Sequence, residues 1–142
     1  MRTSSLIDLS RKIADEAHYG QFRRDGVTPY FNHISRVVNR LDSQNESDEV
    51  LAAAALHDTL EDSEITGDFL IKSGIPESVV SVVEILTHKK GESYFWYIDR
   101  IAENPIARKV KIADILDNLS GSPTERQIIK YARALLKLHG RG

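Results

Sequence analysis

The chain has 142 residues, 41% of them apolar and 28% charged, and a net charge of −2. That length accommodates one hydrophobic core, and the composition excludes a disordered or collagen-like chain. Lysines and arginines are dispersed instead of clustered, which argues against a nucleic-acid polymer as partner and leaves room for a small anion. There is no cysteine, so any bound metal must be held by histidine and carboxylate. The opening MRTSSLIDLSRK lacks the apolar run of a secretory leader, and no segment approaches the ~18 consecutive apolar residues that span a bilayer. A cytoplasmic location with no membrane association is expected.

Leu6, Leu9, Ile13 and Ala17 share one face of a first helix that ends near Gly20. Residues 21–29 contain two arginines, an Asp-Gly pair and a proline, the pattern of a polar, positively charged loop. Ile34, Val37, Val38 and Leu41 stripe a second helix that carries His33 near its start, and the polar residues 42–48 follow it. The run EVLAAAALHDTLED is rich in strong helix formers with a small face, so it predicts a central buried helix.

Short helices are predicted at 66–73, stopped by Gly74, and at 76–87, opened by Pro76. Residues 92–103 place Tyr94, Ile98 and Ile101 at helical spacing, and Pro105 opens a helix that runs through Val110, Ala113 and Leu116 to Gly121. Ser122-Pro123-Thr124-Glu125 reads as a capping box with Ser122 as the cap and Glu125 as its partner. In the helix that follows, Ile128, Ile129, Ala132, Leu135 and Leu136 are expected to face the core. No segment shows strand alternation. The expected architecture is all-α, a single-domain bundle over 1–142 with about seven or eight helices.

The strongest chemical signal is Leu56-His57-Asp58-Thr59-Leu60-Glu61-Asp62. A core helix that ends in these groups delivers them where burial is costly unless they are paired or bound to a cation. On one helix, His57 and Glu61 lie a turn apart, as do Asp58 and Asp62. The first layer can ligate a metal, and the second is placed to orient or deprotonate a water. His33 and Asp114 add two polar groups on separate helices where the pattern is otherwise apolar. Asn118 lies one turn beyond Asp114 and on the same face.

A histidine, a His-Asp doublet and a distant Asp resemble the signature of the HD-domain superfamily of metal-dependent phosphohydrolases. AHYGQFRRDGVTPYFNH, AAALHDTLED and VKIADILDN further resemble the motifs of the hydrolase domain in RelA/SpoT-type proteins and their small stand-alone relatives. Those proteins remove the 3′-pyrophosphate of ppGpp. The resemblance implies a metal, usually Mn²⁺, held by His33, His57, Asp58 and Asp114, with Glu61 and Asp62 activating the attacking water. It also implies that Asn118 touches a small nucleotide ligand and that Arg23 or Arg24 lies by its base, Arg23 being favoured by its place after Gly20-Gln21. The ligand set independently suits Mn²⁺, Fe²⁺ or Mg²⁺ better than structural zinc.

Two departures stand out: Ile34 occupies the place of the family's usual proline, and the stretch before VKIAD is shorter than in the long enzymes. Other groups have plainer readings. His18 reads as a surface or capping residue, Asp117 as exposed, and Trp96 and Tyr97 as core or interface aromatics; Tyr94 is also a candidate substrate contact. The leading functional expectation is hydrolysis of ppGpp or pppGpp to GDP or GTP. The alternatives are phosphohydrolysis of another nucleotide or dinucleotide cofactor, and a non-catalytic nucleotide-binding module. The sequence leaves oligomeric state open.

Overall fold

A computed structural model describes residues 4–140. Among these described residues nine helices follow one another: α1 (Ser5–Ala17), α2 (Tyr30–Ser43), α3 (Asp48–Leu56), α4 (Thr59–Asp62), α5 (Gly67–Lys72), α6 (Glu77–Ile85), α7 (Tyr94–Ala102), α8 (Pro105–Leu119) and α9 (Glu125–Leu138). The all-α architecture agrees with the sequence pattern. Among the described residues there is no strand, only an isolated bridge between Phe22 and Pro29. No described helix is long and apolar enough to cross a membrane.

The core is organised around α3, in which every residue from Val50 to Leu56 is buried. Its alanines let α1, α2, α6 and α8 approach closely. Leu51 and Leu56 are fully buried, each contributing roughly 1.5–3 kcal/mol relative to exposure. Ser47 caps the start by accepting the Val50 N–H.

The central helix is not continuous through HDTLED; it breaks at His57 and Asp58, and α4 follows as a separate short turn. The Thr59 hydroxyl donates to the Leu56 carbonyl at 2.8 Å, and the His57 ring nitrogen Nδ1 lies 2.6 Å from the Ala54 carbonyl. Side chains thus satisfy carbonyls that a continuing helix would have used, and the chain turns at Asp58. His57 and Asp58 stand at this corner.

The last helix differs from expectation in two ways. Its capping box is formed by Thr124 and Gln127, because Ser122 has φ 57° and a capping residue needs extended backbone. Its buried stripe contains Ala134 and Leu138, flanked by half-buried Tyr131 and Leu135, whereas Ile128, Ile129, Ala132 and Leu136 are exposed. Both stripes have helical spacing, and α9 turns the one with the smaller Ala134 toward α7 and α8.

Candidate metal centre and adjoining cleft

Three places in the fold bring the candidate ligands together: α2 supplies His33, the corner between α3 and α4 supplies His57 and Asp58, and α8 supplies Asp114. One donor atom from each lies within 4.8 Å of the others. His33 Nε2 is 2.8 Å from Asp114 Oδ1, and His57 Nε2 is 3.1 Å from Asp58 Oδ2 and 3.4 Å from Asp114 Oδ1. Despite those approaches, the buried His57 Nε2 makes no hydrogen bond. Two imidazoles and two carboxylates that converge in the interior, with one nitrogen left unmatched, could hold a divalent cation.

The electrostatics of the cluster balance burial against pairing. Burial alone would push His57 down, but Asp58 and Asp114 hold its pKa well above the ordinary value. Burial opposes ionisation of Asp114 too, and the charges of Lys111 and His57 outweigh it, keeping this carboxyl well below the usual range. Lys111 Nζ sits 2.9 Å from Asp114 Oδ2. The Tyr30 hydroxyl donates to Asp58 Oδ2 at 2.5 Å.

Glu61 and Asp62 both lie on α4, the short turn just after the cluster. Glu61 Oε1 accepts the His88 backbone N–H at 2.7 Å, which fixes one carboxylate oxygen and ties residues 88–92 to this turn. Asp62 is pushed up to about 6, chiefly by burial and then by the charges of Asp58 and Glu61. Its backbone carbonyl accepts Gln21 Nε2 at 2.8 Å.

Beside the cluster lies a cleft of about 760 Å³ whose walls include Arg23, Arg24, Arg36, Asn118 and Tyr131. Tyr30 lines it while bonding Asp58, so cleft and cluster share a wall. Arg23 donates to Asn118 Oδ1 at 3.1 Å, and Asn118 Nδ2 is 3.4 Å from Asp114 Oδ1. The arginine loop is held by the Asp25 carboxylate, which accepts the Val27 and Thr28 N–H groups at 2.9 and 2.8 Å. Tyr94 is not among the side chains that line the cleft; it packs against His88 and Tyr97, with Lys130 Nζ 4.7 Å above its ring.

Several plain readings are corrected. Asp117 is 2% exposed, because it pairs with His33 and Arg36. His18 does cap α1, yet it is buried, with its ring 5.0 Å from that of Tyr30. Trp96 is 78% exposed and so is no core residue, unlike Tyr97. Tyr30, Arg36, Lys111 and Tyr131 were missed as neighbours of the site. For Arg36 and Asp117 the signal was available in the three-residue steps from His33 and from Asp114, which share a helix face.

The fold and the cluster define a class: the chain belongs to the HD domain family, which matches residues 10–104. It is 34% identical over 121 residues to the guanosine-3′,5′-bis(diphosphate) 3′-pyrophosphohydrolase of Aquifex aeolicus, covering 80% of this chain and 17% of that protein. It is 30% identical over 143 residues to the "Probable GTP pyrophosphokinase" of Mycobacterium leprae, covering 92% and 18% respectively. The chain thus spans less than a fifth of these relatives. A solved structure described as "A metazoan ortholog of SpoT hydrolyzes ppGpp and plays a role in starvation responses" superposes with a TM-score of 0.83 at 27% identity, covering all of this chain and 90% of that one.

Proposed function

We propose that this chain is a metal-dependent phosphohydrolase of a small nucleotide, removing the 3′-pyrophosphate of ppGpp or pppGpp to leave GDP or GTP, and that residues 1–142 form one HD-type domain. The observation that carries the reading is the convergence of His33, His57, Asp58 and Asp114 within 4.8 Å, beside a cleft with arginines on its wall. In this reading those four residues hold a divalent cation, Mn²⁺ by family resemblance. The names of the Aquifex relative and of the metazoan structure support the choice of substrate.

A cation there supplies Lewis acidity toward a phosphoryl oxygen and makes a nearby water more acidic. The protein's own groups do the rest. Asp62, at about 6, is ionised at neutral pH yet basic enough to take a proton from water approaching phosphorus. Glu61, with one oxygen fixed by the His88 N–H, turns its other oxygen to orient that water. A new O–P bond forms as the bond to the ribose 3′ oxygen breaks, and the proton held by Asp62 passes to the departing oxygen. Arg24 offsets phosphate charge, while Arg23 and Asn118 stand beside the nucleoside.

The test is incubation of Mn²⁺-loaded protein with ppGpp. Equimolar GDP and pyrophosphate are expected. Orthophosphate released from other nucleotides, with ppGpp inert, would overturn the substrate assignment; tight nucleotide binding with no turnover of any would overturn catalysis.

A further inference from the structure

The imidazole of His33 is held from both sides. Its Nε2 faces Asp114 Oδ1 at 2.8 Å, while Nδ1 lies 2.6 Å from Asp117 Oδ2. Asp117 is buried, and Arg36 grips it with Nε 2.7 Å from Oδ1 and a terminal nitrogen 3.2 Å from Oδ2. A carboxylate is costly to bury unless its oxygens are paired, and here both are.

The placement follows from two three-residue steps. His33 and Arg36 lie one turn apart on α2, and Asp114 and Asp117 lie one turn apart on α8. The helices therefore meet as a ladder, with His33–Asp114 on the rung at the cluster and Arg36–Asp117 on the next. His33 Nδ1 ties the rungs together. His57 differs, since its Nδ1 is held by the backbone carbonyl of Ala54. His33 is thus the candidate ligand whose ring is aimed by another side chain.

We propose that Asp117, clamped by Arg36, is a positioning residue for the metal centre. It accepts the Nδ1 proton of His33, so that Nε2 offers its lone pair to the cation, and it fixes the plane of the ring. This rests on the metal-binding reading above. Such outer contacts raise the donor strength of a ligand histidine and fix its tautomer. If the three residues served only to tie α2 to α8, their loss would change stability but not the ligand field of a bound metal.

The experiment compares wild type, Asp117→Asn and Arg36→Gln by calorimetric titration with Mn²⁺ and by the visible spectrum of the Co²⁺-loaded proteins. Asp117→Asn should weaken Mn²⁺ binding by roughly ten- to a hundredfold and shift the Co²⁺ bands; Arg36→Gln should shift them less and weaken binding by roughly threefold. Arg36 is half exposed, so its variant decides the question if Asp117→Asn does not fold. Wild-type affinity and wild-type Co²⁺ bands in the folded variants would overturn the proposal, even with a lowered melting temperature. A wild-type protein that binds neither ion would overturn the metal reading itself, which is a distinguishable result.

Discussion

His57 donates from Nδ1 to the carbonyl of Ala54 at 2.6 Å, one turn back in α3. That bond holds the ring at the helix end and leaves Nε2 close to Asp58 and Asp114, at 3.1 and 3.4 Å. At the break in the central helix the Ala54 carbonyl receives only a long contact from the His57 N–H, at 3.5 Å, and the ring takes the place that the next backbone N–H of a continuing helix would fill.

Removal of a ligand should separate binding from chemistry. Asp58→Ala is expected to abolish Mn²⁺ binding, measured as metal per chain after gel filtration. Glu61→Gln keeps the side-chain shape and an oxygen for the His88 N–H, so metal should remain while turnover falls by roughly 10²- to 10⁴-fold. Equal activity in both variants would sink the mechanism.

Metal binding should strengthen as pH rises. In the metal-free protein the pKa of His57 lies well above its ordinary value and that of His33 is raised, in each case because carboxylates outweigh the effect of burial. Both rings therefore keep their protons to higher pH than an ordinary imidazole, and a cation must displace them. Affinity should fall up to about tenfold per pH unit for each proton displaced as pH is lowered. Calorimetry in buffers of different ionisation enthalpy should register release of about one to two protons per cation; an affinity constant between about pH 6 and 8 would contradict this.

A cation should also stabilise the fold, because the four candidate ligands come from α2, the corner between α3 and α4, and α8. At a free Mn²⁺ concentration a hundredfold above its dissociation constant the gain is about 2.7 kcal/mol. For a chain of this length that raises the melting temperature by roughly 8–10 °C. Chelation should reverse the shift; a thermal melt unaffected by Mn²⁺ would argue against ligation by the folded state.

Ala53 is fully buried in α3, whereas Ala132 on α9 is exposed. Ala53→Leu should cost about 1–3 kcal/mol by overpacking, and Ala132→Leu should stay within about 0.5 kcal/mol of wild type. Urea unfolding of the two variants checks the assignment of faces, and equal losses would contradict it.

The central helix was legible in the sequence because seven consecutive apolar or small residues leave no polar face to expose, as the burial of Val50 to Leu56 bears out. The four candidate ligands could be picked out as polar groups at apolar positions, and the structure brings them together. The corner at His57 was not legible, since it depends on two side chains competing for carbonyls in the last turn of α3. Nor was the face of α9, where two helical stripes were equally apolar and packing against α7 and α8 chose between them. Asp117 looked exposed because its partners are 84 and 81 positions away in sequence. Tyr30 lies within AHYGQFRRDGVTPYFNH, but its bond to Asp58 crosses from α2 to the helix corner.

The most direct test is an anomalous difference map from crystals grown with Mn²⁺. Ligation by the cluster predicts one strong peak at bonding distance from His33 Nε2, His57 Nε2 and a carboxylate oxygen of each of Asp58 and Asp114. A map with no peak among these four residues, at full metal occupancy elsewhere or in none, would contradict it.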